Sequence, residues 1–537
     1  MFAIAMAGAF FRLFRLNVLP GLNPDEVEVV MQWFRKPIVF WYISATGRPL
    51  LDPIGPILLW PFVKLASPAP WLVRVPAVIS GIAALPVVFW FVYRKFGSSV
   101  AISSTILAAV SPLMISYSRI GWDPAYVPVL TALVIGFAFT QRGILGILSM
   151  ILLFLSHPTG IFVGMMVMPL LFLQSQNNYV RFPRKFTHKV MLAVIFLVVC
   201  VGVIGALIMA AEQFTIDAAN IFAIIISRLF SLRGIILFIG AYIQTIGGPW
   251  IYATFSGGPI AEATPIMVGF FFFCILFGGW IFWNKRKINE FTVLASFIFA
   301  LFSEYLSFGL DGAAIYRERY LLWAVIPTCI IISLIIQAIC DSFKQEKWGP
   351  FVVASIGTIW LISFYLGYMH PLLYEGGNSA VLDYRTSIRE PKVMVLDFIR
   401  DHRKHPESAA VVFVGESRLE LGLMYLASQD SELEIKNLGK VFYRYFQHDD
   451  RSDLLRIYNE TAISPRDVFF VDYDWDYLSG PVRAIHKPAA DSAGDAVAPW
   501  KTGDAVTVKT AGGRPLLKIW RLSRGQDVAP SIHMSPH

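Results

Sequence analysis

Three short stretches carry residue types suited to acid–base and anion-binding chemistry. Leu22-Asn23-Pro24-Asp25-Glu26 places two adjacent carboxylates a few residues beyond the first apolar run. A carboxylate within hydrogen-bond reach of a hydroxyl can take its proton as the oxygen attacks an electrophile. An Asp-Glu pair that opens a helix is equally an ordinary N-terminal cap, because unpaired N–H groups and the helix dipole favour negative charge there. In the second stretch, Tyr117-Ser118-Arg119-Ile120-Gly121-Trp122-Asp123-Pro124, Arg119 and Asp123 bring both charges to one place, for a substrate or for each other. The third, Tyr316-Arg317-Glu318-Arg319-Tyr320, sets two arginines directly before a late apolar run. Guanidinium groups present paired donors that match phosphate oxygens, so an anionic partner is expected there.

Further pocket candidates are Arg48, Arg74 and His157. His157 sits in Ser156-His157-Pro158-Thr159-Gly160, a turn where a helix-capping histidine is the simpler explanation. The cysteines Cys200, Cys274, Cys329 and Cys340 lie in or beside apolar runs and read as small packing residues rather than metal ligands.

What must position these residues is membrane-spanning. The 537 residues are 56% hydrophobic and 15% charged, with a mean hydropathy of +0.59. Apolar runs of bilayer length recur up to Tyr368 and then stop. The pattern predicts about eleven spans, from Phe2 to Leu16, then Leu72 to Tyr93, and onward to Phe351 to Tyr368. Basic residues cluster in alternate loops, including Arg94 and Lys95, Arg142, Lys285 to Lys287, and Lys344 and Lys347. These loops are expected on the cytoplasmic side, which accounts for the net charge of +8 without nucleic acid. Arg12 and Arg15 then fall at the outer end of the first span, against that rule, and are expected to snorkel or to face a polar cavity. Most acids of this half, Asp25, Glu26, Glu28, Asp52, Asp123 and Glu318 among them, fall in outer loops, as a polar working surface on that side would require. The loop from Glu212 to Thr264 is long enough for interfacial helices.

After His370 the composition changes. Short apolar runs, Ala409 to Val414 and Val468 to Val471, alternate with helix-like segments, Pro391 to Arg403 and Leu419 to Ser428, as in a small α/β domain. Val506 to Lys509 and Leu516 to Arg521 read as a closing hairpin, and Pro488 to Pro499 as a mobile loop. The expected organisation is a polytopic α-helical membrane domain over 1–370 and a soluble α/β domain over 371–537 on the outer side.

Together these stretches resemble the GT-C superfamily of polyprenyl-phosphate-dependent glycosyltransferases, especially the branch holding protein O-mannosyltransferases and the aminoarabinose transferases of lipid A. Members of that branch carry an Asp-Glu pair in the first outer loop, matched in kind and place by Asp25 and Glu26. They also tend to open a late span with Arg-Tyr-Leu-Leu, matched by Arg319-Tyr320-Leu321-Leu322, and Ser118 to Asp123 resembles their second outer loop. The chain departs from the branch at Glu28, where aminoarabinose transferases have an arginine. Their Lys-Pro-Pro-Leu stretch has only the loose counterpart Gly47-Arg48-Pro49-Leu50.

The resemblance implies an inverting transferase in a bacterial inner membrane. It would move a sugar from a polyprenyl-phosphate donor to a hydroxyl of a lipid, glycan or protein. The implied catalytic residues are Asp25 as base, with Glu26 and Asp123. The implied phosphate and substrate contacts are Arg48, Arg74, Arg119, His157, Arg317, Arg319 and Tyr320. No cofactor is required, and a carboxylate-bound divalent cation stays open. The rival reading is a transporter or lipid flippase, since boundary charges also line translocation paths. No repeated halves and few charges inside the spans speak against it.

Overall fold

The computed structural model describes residues 2–22, 26–27, 57–58, 61–62, 68–157, 159–176, 231–247, 265–308, 318–375, 389–438, 456, 466–475 and 481–523. Two regions of different character make up these residues, an all-helical one and a five-stranded sheet with helices.

The helical region begins with α1 (Phe2–Leu13). Next comes α2 (Pro70–Phe96), which starts on Pro70, whose missing N–H would be unpaired at a helix start anyway. The expected span from Val100 to Tyr117 is broken. It forms α3 (Ser98–Val110) and α4 (Pro112–Ser118), bent by 53° at Ser111. Pro112 explains the break, because it has no N–H to give and biases Ser111 away from helical geometry. Ser111 then caps α4 by accepting from the Met114 N–H.

A short tight helix at Asp123–Tyr126 leads into α5 (Val127–Phe139). It is followed by α6 (Gly143–Ser156), α7 (Gly160–Gln176) and α8 (Leu232–Gly247). Then come α9 (Pro265–Asn284) and α10 (Ile288–Phe308). A further tight turn, Glu318–Leu321, opens α11 (Leu322–Ser342), and α12 (Gly349–Phe364) runs on through the wider turns Tyr365–Met369 and Pro371–Glu375.

The α2, α3, α5 and α11 helices pack together, with α7 against α10 and α12 against α3. Their shared interior is aliphatic and aromatic, with Leu85, Val88, Phe91, Ile135, Trp323 and Ile326 buried. The outward faces are apolar too. Ile79, Ile144, Leu148, Phe273, Leu276, Trp280, Phe351 and Ile362 are all exposed. A helix apolar on every side is stable only in an apolar solvent, which makes this region a membrane domain.

By length and composition, three of the described helices can cross a bilayer alone: Pro70–Phe96, Arg319–Ser342 and Gly349–Met369. The bent pair makes a fourth, and the other apolar helices are shorter. The expected count of about eleven full spans is thus met by fewer long helices among the described residues, and Val190 to Ala210 lies outside them.

In the second region α13 (Pro391–Asp401) precedes β1 (Ala410–Val414), α14 (Ser417–Leu426), β2 (Leu433–Asn437) and β3 (Val468–Tyr473). Then α15 (Pro481–Val497) leads to β4 (Lys501–Lys509) and β5 (Pro515–Leu522). The strand order is β2-β1-β3-β5-β4; the first three strands are parallel and the last two form an antiparallel hairpin. Every residue of β1 and β3 is buried, as central strands covered on both faces must be.

The stretch from Pro488 to Pro499 was expected as a loop, and most of it is helix. Ala490, Ala493 and Val497 recur at helical spacing and are buried against the sheet, and Lys487 bridges Asp491 one turn on at 2.6 Å. Packing of small residues overrides the proline signal there.

Candidate active site

The break between α3 and α4 leaves carbonyls without helical partners, and Arg12 supplies the donors. Its Nη1 donates to the Ala109 and Gly8 carbonyls at 3.0 and 2.9 Å, its Nη2 to Ala108, and its Nε to Ser118 Oγ. Arg12 is therefore buried within the protein instead of snorkelling to the headgroups. A cation at the carbonyl end of a helix is also where the backbone dipole favours one.

Arg74, on the first turns of α2, has all five N–H groups occupied. Nε and Nη2 grip the two oxygens of Glu26 at 2.8 and 2.9 Å. The remaining donors go to the carbonyls of Leu16, Pro20 and Gly21. Arg119 donates to four carbonyls at the end of α1 and beyond it, those of Phe11, Arg12, Phe14 and Leu19. Neither arginine side chain is exposed. As arranged, Arg74 has no donor left for a phosphate, and Arg119 is committed to folding the chain after α1.

Glu26 also accepts from the Gly121 N–H at 2.8 Å, so three donors converge on its carboxylate. It acts as a fixed charge tying the first loop to α2 and to the Gly121 turn. Gly121 is required by proximity: a Cβ at that position would lie 2.2 Å from the Val73 carbonyl oxygen.

From that turn the chain presents Trp122 and Asp123; the turn carrying Arg319 meets Trp122, and the turn carrying His157 meets Tyr320. The Arg319 guanidinium lies over the Trp122 ring at 5.1 Å and over its neighbour Tyr320 at 4.9 Å, and donates to the Tyr320 hydroxyl at 3.0 Å. His157 packs its ring against Tyr320, with centroids 5.7 Å apart. The Thr159 hydroxyl lies 2.8 Å from His157 Nδ1, and the Thr159 N–H donates to the same nitrogen. Nδ1 therefore accepts, which assigns the ring proton to Nε2. Burial, and next the Arg319 charge, hold the imidazole below its ordinary pKa range and keep it neutral.

The structure thus gathers the sequence candidates into two linked groups. Glu26, Arg74 and Arg119 form a buried brace. Asp123, His157, Arg319 and Tyr320 lie on three turns that converge at the same end of the helices. Asp25, Arg48 and Arg317 lie outside the described residues. Trp122 and Thr159 were missed by the sequence reading, although an aromatic beside Asp123 and a hydroxyl two residues after His157 were visible. Also missed was the partner of Glu304, whose buried carboxylate accepts from Trp323 Nε1 at 2.8 Å.

Among the described residues no three His, Cys, Asp or Glu side chains converge as a metal would require. Cys274, Cys329 and Cys340 are free thiols, and Cys200 is outside the described residues. At the opposite end of the bundle Lys287, Gln337 and Asp341 line a cavity of about 330 Å³. Their polar groups are engaged with one another, Lys287 to Asp341 at 3.2 Å and Gln337 to Asp341 at 2.7 Å, which ties the turn before α10 to the end of α11.

No family model matches the chain, and no curated protein matches it. Among solved structures it is similar to the Archaeoglobus fulgidus oligosaccharyltransferase, crystallised in complex with Zn and sulfate. That match has 12% identity and a TM-score of 0.45, and covers 96% of this chain and 72% of the other. It is also similar to ArnT from Cupriavidus metallidurans in the apo state, with 11% identity, a TM-score of 0.44 and 96% of each chain covered. The same protein bound to undecaprenyl phosphate gives 11% identity and a TM-score of 0.44, over 96% of this chain and 97% of that one.

Proposed function

We propose that this membrane protein is an inverting glycosyltransferase that takes a sugar from a polyprenyl-phosphate donor and delivers it to a hydroxyl acceptor on the outer face of the membrane that holds it. The observation that supports this most directly is the meeting of Arg319, Tyr320, Trp122 and His157 at one end of the helices, beside the turn that Glu26 holds. A cation framed by aromatic rings at a membrane boundary suits a sugar phosphate, with the rings facing the sugar and the guanidinium the phosphate.

In the reaction the acceptor oxygen forms a bond to the anomeric carbon from the face opposite the phosphate, and its proton passes to a carboxylate. Asp25 is the assigned base. The anomeric carbon–oxygen bond to phosphate breaks, and its electron pair leaves with the polyprenyl phosphate. Arg319, with Arg317, stabilises the charge that develops on the departing oxygen. Glu26 is assigned a holding role, and Asp123 the orientation of the acceptor.

The test is release of free polyprenyl phosphate from a panel of labelled polyprenyl-phosphate sugars, with purified protein and host membrane extract as acceptor. One donor should give release that Asp25→Asn abolishes while donor binding persists. No release with any donor, together with movement of a lipid across proteoliposomes, would replace this reading by a transporter.

A further inference from the structure

Both ends of the first loop are held by the sheet domain. The Leu22 N–H donates to Glu390 Oε2 at 3.1 Å, and the Leu22 carbonyl accepts from Lys392 Nζ at 2.8 Å. At the far end the Tyr425 hydroxyl accepts from the Ala69 N–H at 3.3 Å and donates to the Ala69 carbonyl at 3.1 Å. Glu390, Lys392 and Tyr425 are all buried, and Leu22, Val27, Val73 and Leu421 pack with Tyr425 into an apolar seam between the two regions.

The clamp is built, not incidental. Glu390 caps α13 by accepting from the Lys392 N–H, so one carboxylate serves the helix start and the loop together. Gly422 on α14 leaves room for the lysine stem, since a Cβ there would lie 2.5 Å from Lys392 Cδ. A buried lysine with its ammonium on a backbone carbonyl and beside a carboxylate is costly to desolvate, and it makes poor sense as simple domain packing when an apolar residue would serve.

Bonds run onward from this clamp. The carbonyl of Gly21, next to Leu22, accepts from Arg74, which grips Glu26, which accepts from Gly121 beside Trp122. Trp122 lies under Arg319.

We infer that the sheet domain is a working part of the site, with Lys392 and Glu390 as positioning residues that fix the segment carrying Glu26 and, through Arg74, the turn carrying Trp122 and Asp123. The consequence for turnover rests on the glycosyltransferase reading; the positioning itself does not.

The test compares the full-length protein with Lys392→Met, which keeps the stem and removes the ammonium, and with Lys392→Arg, which restores a cation. Amide exchange in peptides covering Leu22 and Gly121 should speed up about tenfold in Lys392→Met. The turnover number should fall as well, and Lys392→Arg should recover both. Gly422→Ala displaces the lysine stem without changing charge and should reproduce the effect, which separates positioning from misfolding of a charge-deleted variant. Unchanged exchange at Gly121 in both Lys392→Met and Gly422→Ala would overturn the inference. So would loosening at Gly121 with turnover at the native level. Should the native protein release no polyprenyl phosphate, the functional reading fails while exchange at Gly121 still decides the positioning.

Discussion

Arg74 and Glu26 meet at two points, Nε to Oε1 at 2.8 Å and Nη2 to Oε2 at 2.9 Å, with neither side chain exposed. A buried pair is held by the cost of breaking it more than by any net gain from making it. Arg74→Met should therefore destabilise the protein by about 3–5 kcal/mol, because it strands the Glu26 charge and three carbonyls. Replacing both residues, Arg74→Met with Glu26→Leu, should recover part of that loss. Apparent melting temperatures in detergent would show it, and equal losses for single and double variants would contradict the brace.

Arg319 is expected to matter to chemistry more than to folding, since it stands on rings at the end of the bundle. Arg319→Met should lower polyprenyl-phosphate release by about 10²-fold, the scale on which a preorganised charge-stabilising donor acts. Arg319→Lys should recover little, because an ammonium cannot present a flat fork over Trp122. The check is turnover at saturating donor alongside melting temperature, which should stay near that of the native protein.

Single spans and the two central strands of the sheet domain were legible in the sequence because each rests on local pattern. Runs such as Leu72 to Tyr93, and strands such as Ala409 to Val414, depend on their own composition and appear within a few residues of where they were expected. β2 (Leu433–Asn437) was not seen, since Glu434 and Lys436 interrupt its apolar residues and only pairing with β1 makes it a strand. The arginines show the other limit. Their presence at a boundary was visible, and Arg12 did flag itself by opposing the charge rule. The partners of Arg12, Arg74 and Arg119 lie about 50 to 100 positions away in sequence, however, and no local spacing distinguishes a guanidinium that holds backbone carbonyls from one that holds phosphate.

A pH response is expected from the sheet domain through Asp472. Burial raises its pKa to about 7, with a smaller contribution from Glu416, against the bonds it accepts from Trp475 and the Tyr473 N–H. The folded-state value lies above the unfolded one near 4, so the folded state holds the extra proton between them. Stability should then fall as pH rises from about 4 to about 7 and level off above. Asp472→Asn should flatten that dependence. Melting curves across this range would test the slope, and the emission of Trp475, isolated by comparison with Trp475→Phe, should titrate near neutral pH.

Trp323 and Glu304 offer a cleaner test of a single bond. Trp323→Phe keeps most of the ring packing against Phe162 and Phe297 but removes the donor to the buried carboxyl. An unsatisfied buried acceptor costs about 1–3 kcal/mol. Adding Glu304→Leu should cancel much of it; additive losses in the double variant would mean that the two residues act independently.

The clamp on Leu22 joins positions 368 and 370 residues apart in sequence, which orders the events of biosynthesis. A ribosome adds on the order of 5–20 residues per second, so the loop after α1 waits tens of seconds before Glu390 and Lys392 exist. Until then the Leu22 N–H and carbonyl must bond to water, and the Arg74–Glu26 brace has no outer support. Completion of this end of the membrane domain is accordingly among the last steps of assembly, and a nascent chain stalled before the sheet domain would carry its helices without a finished site.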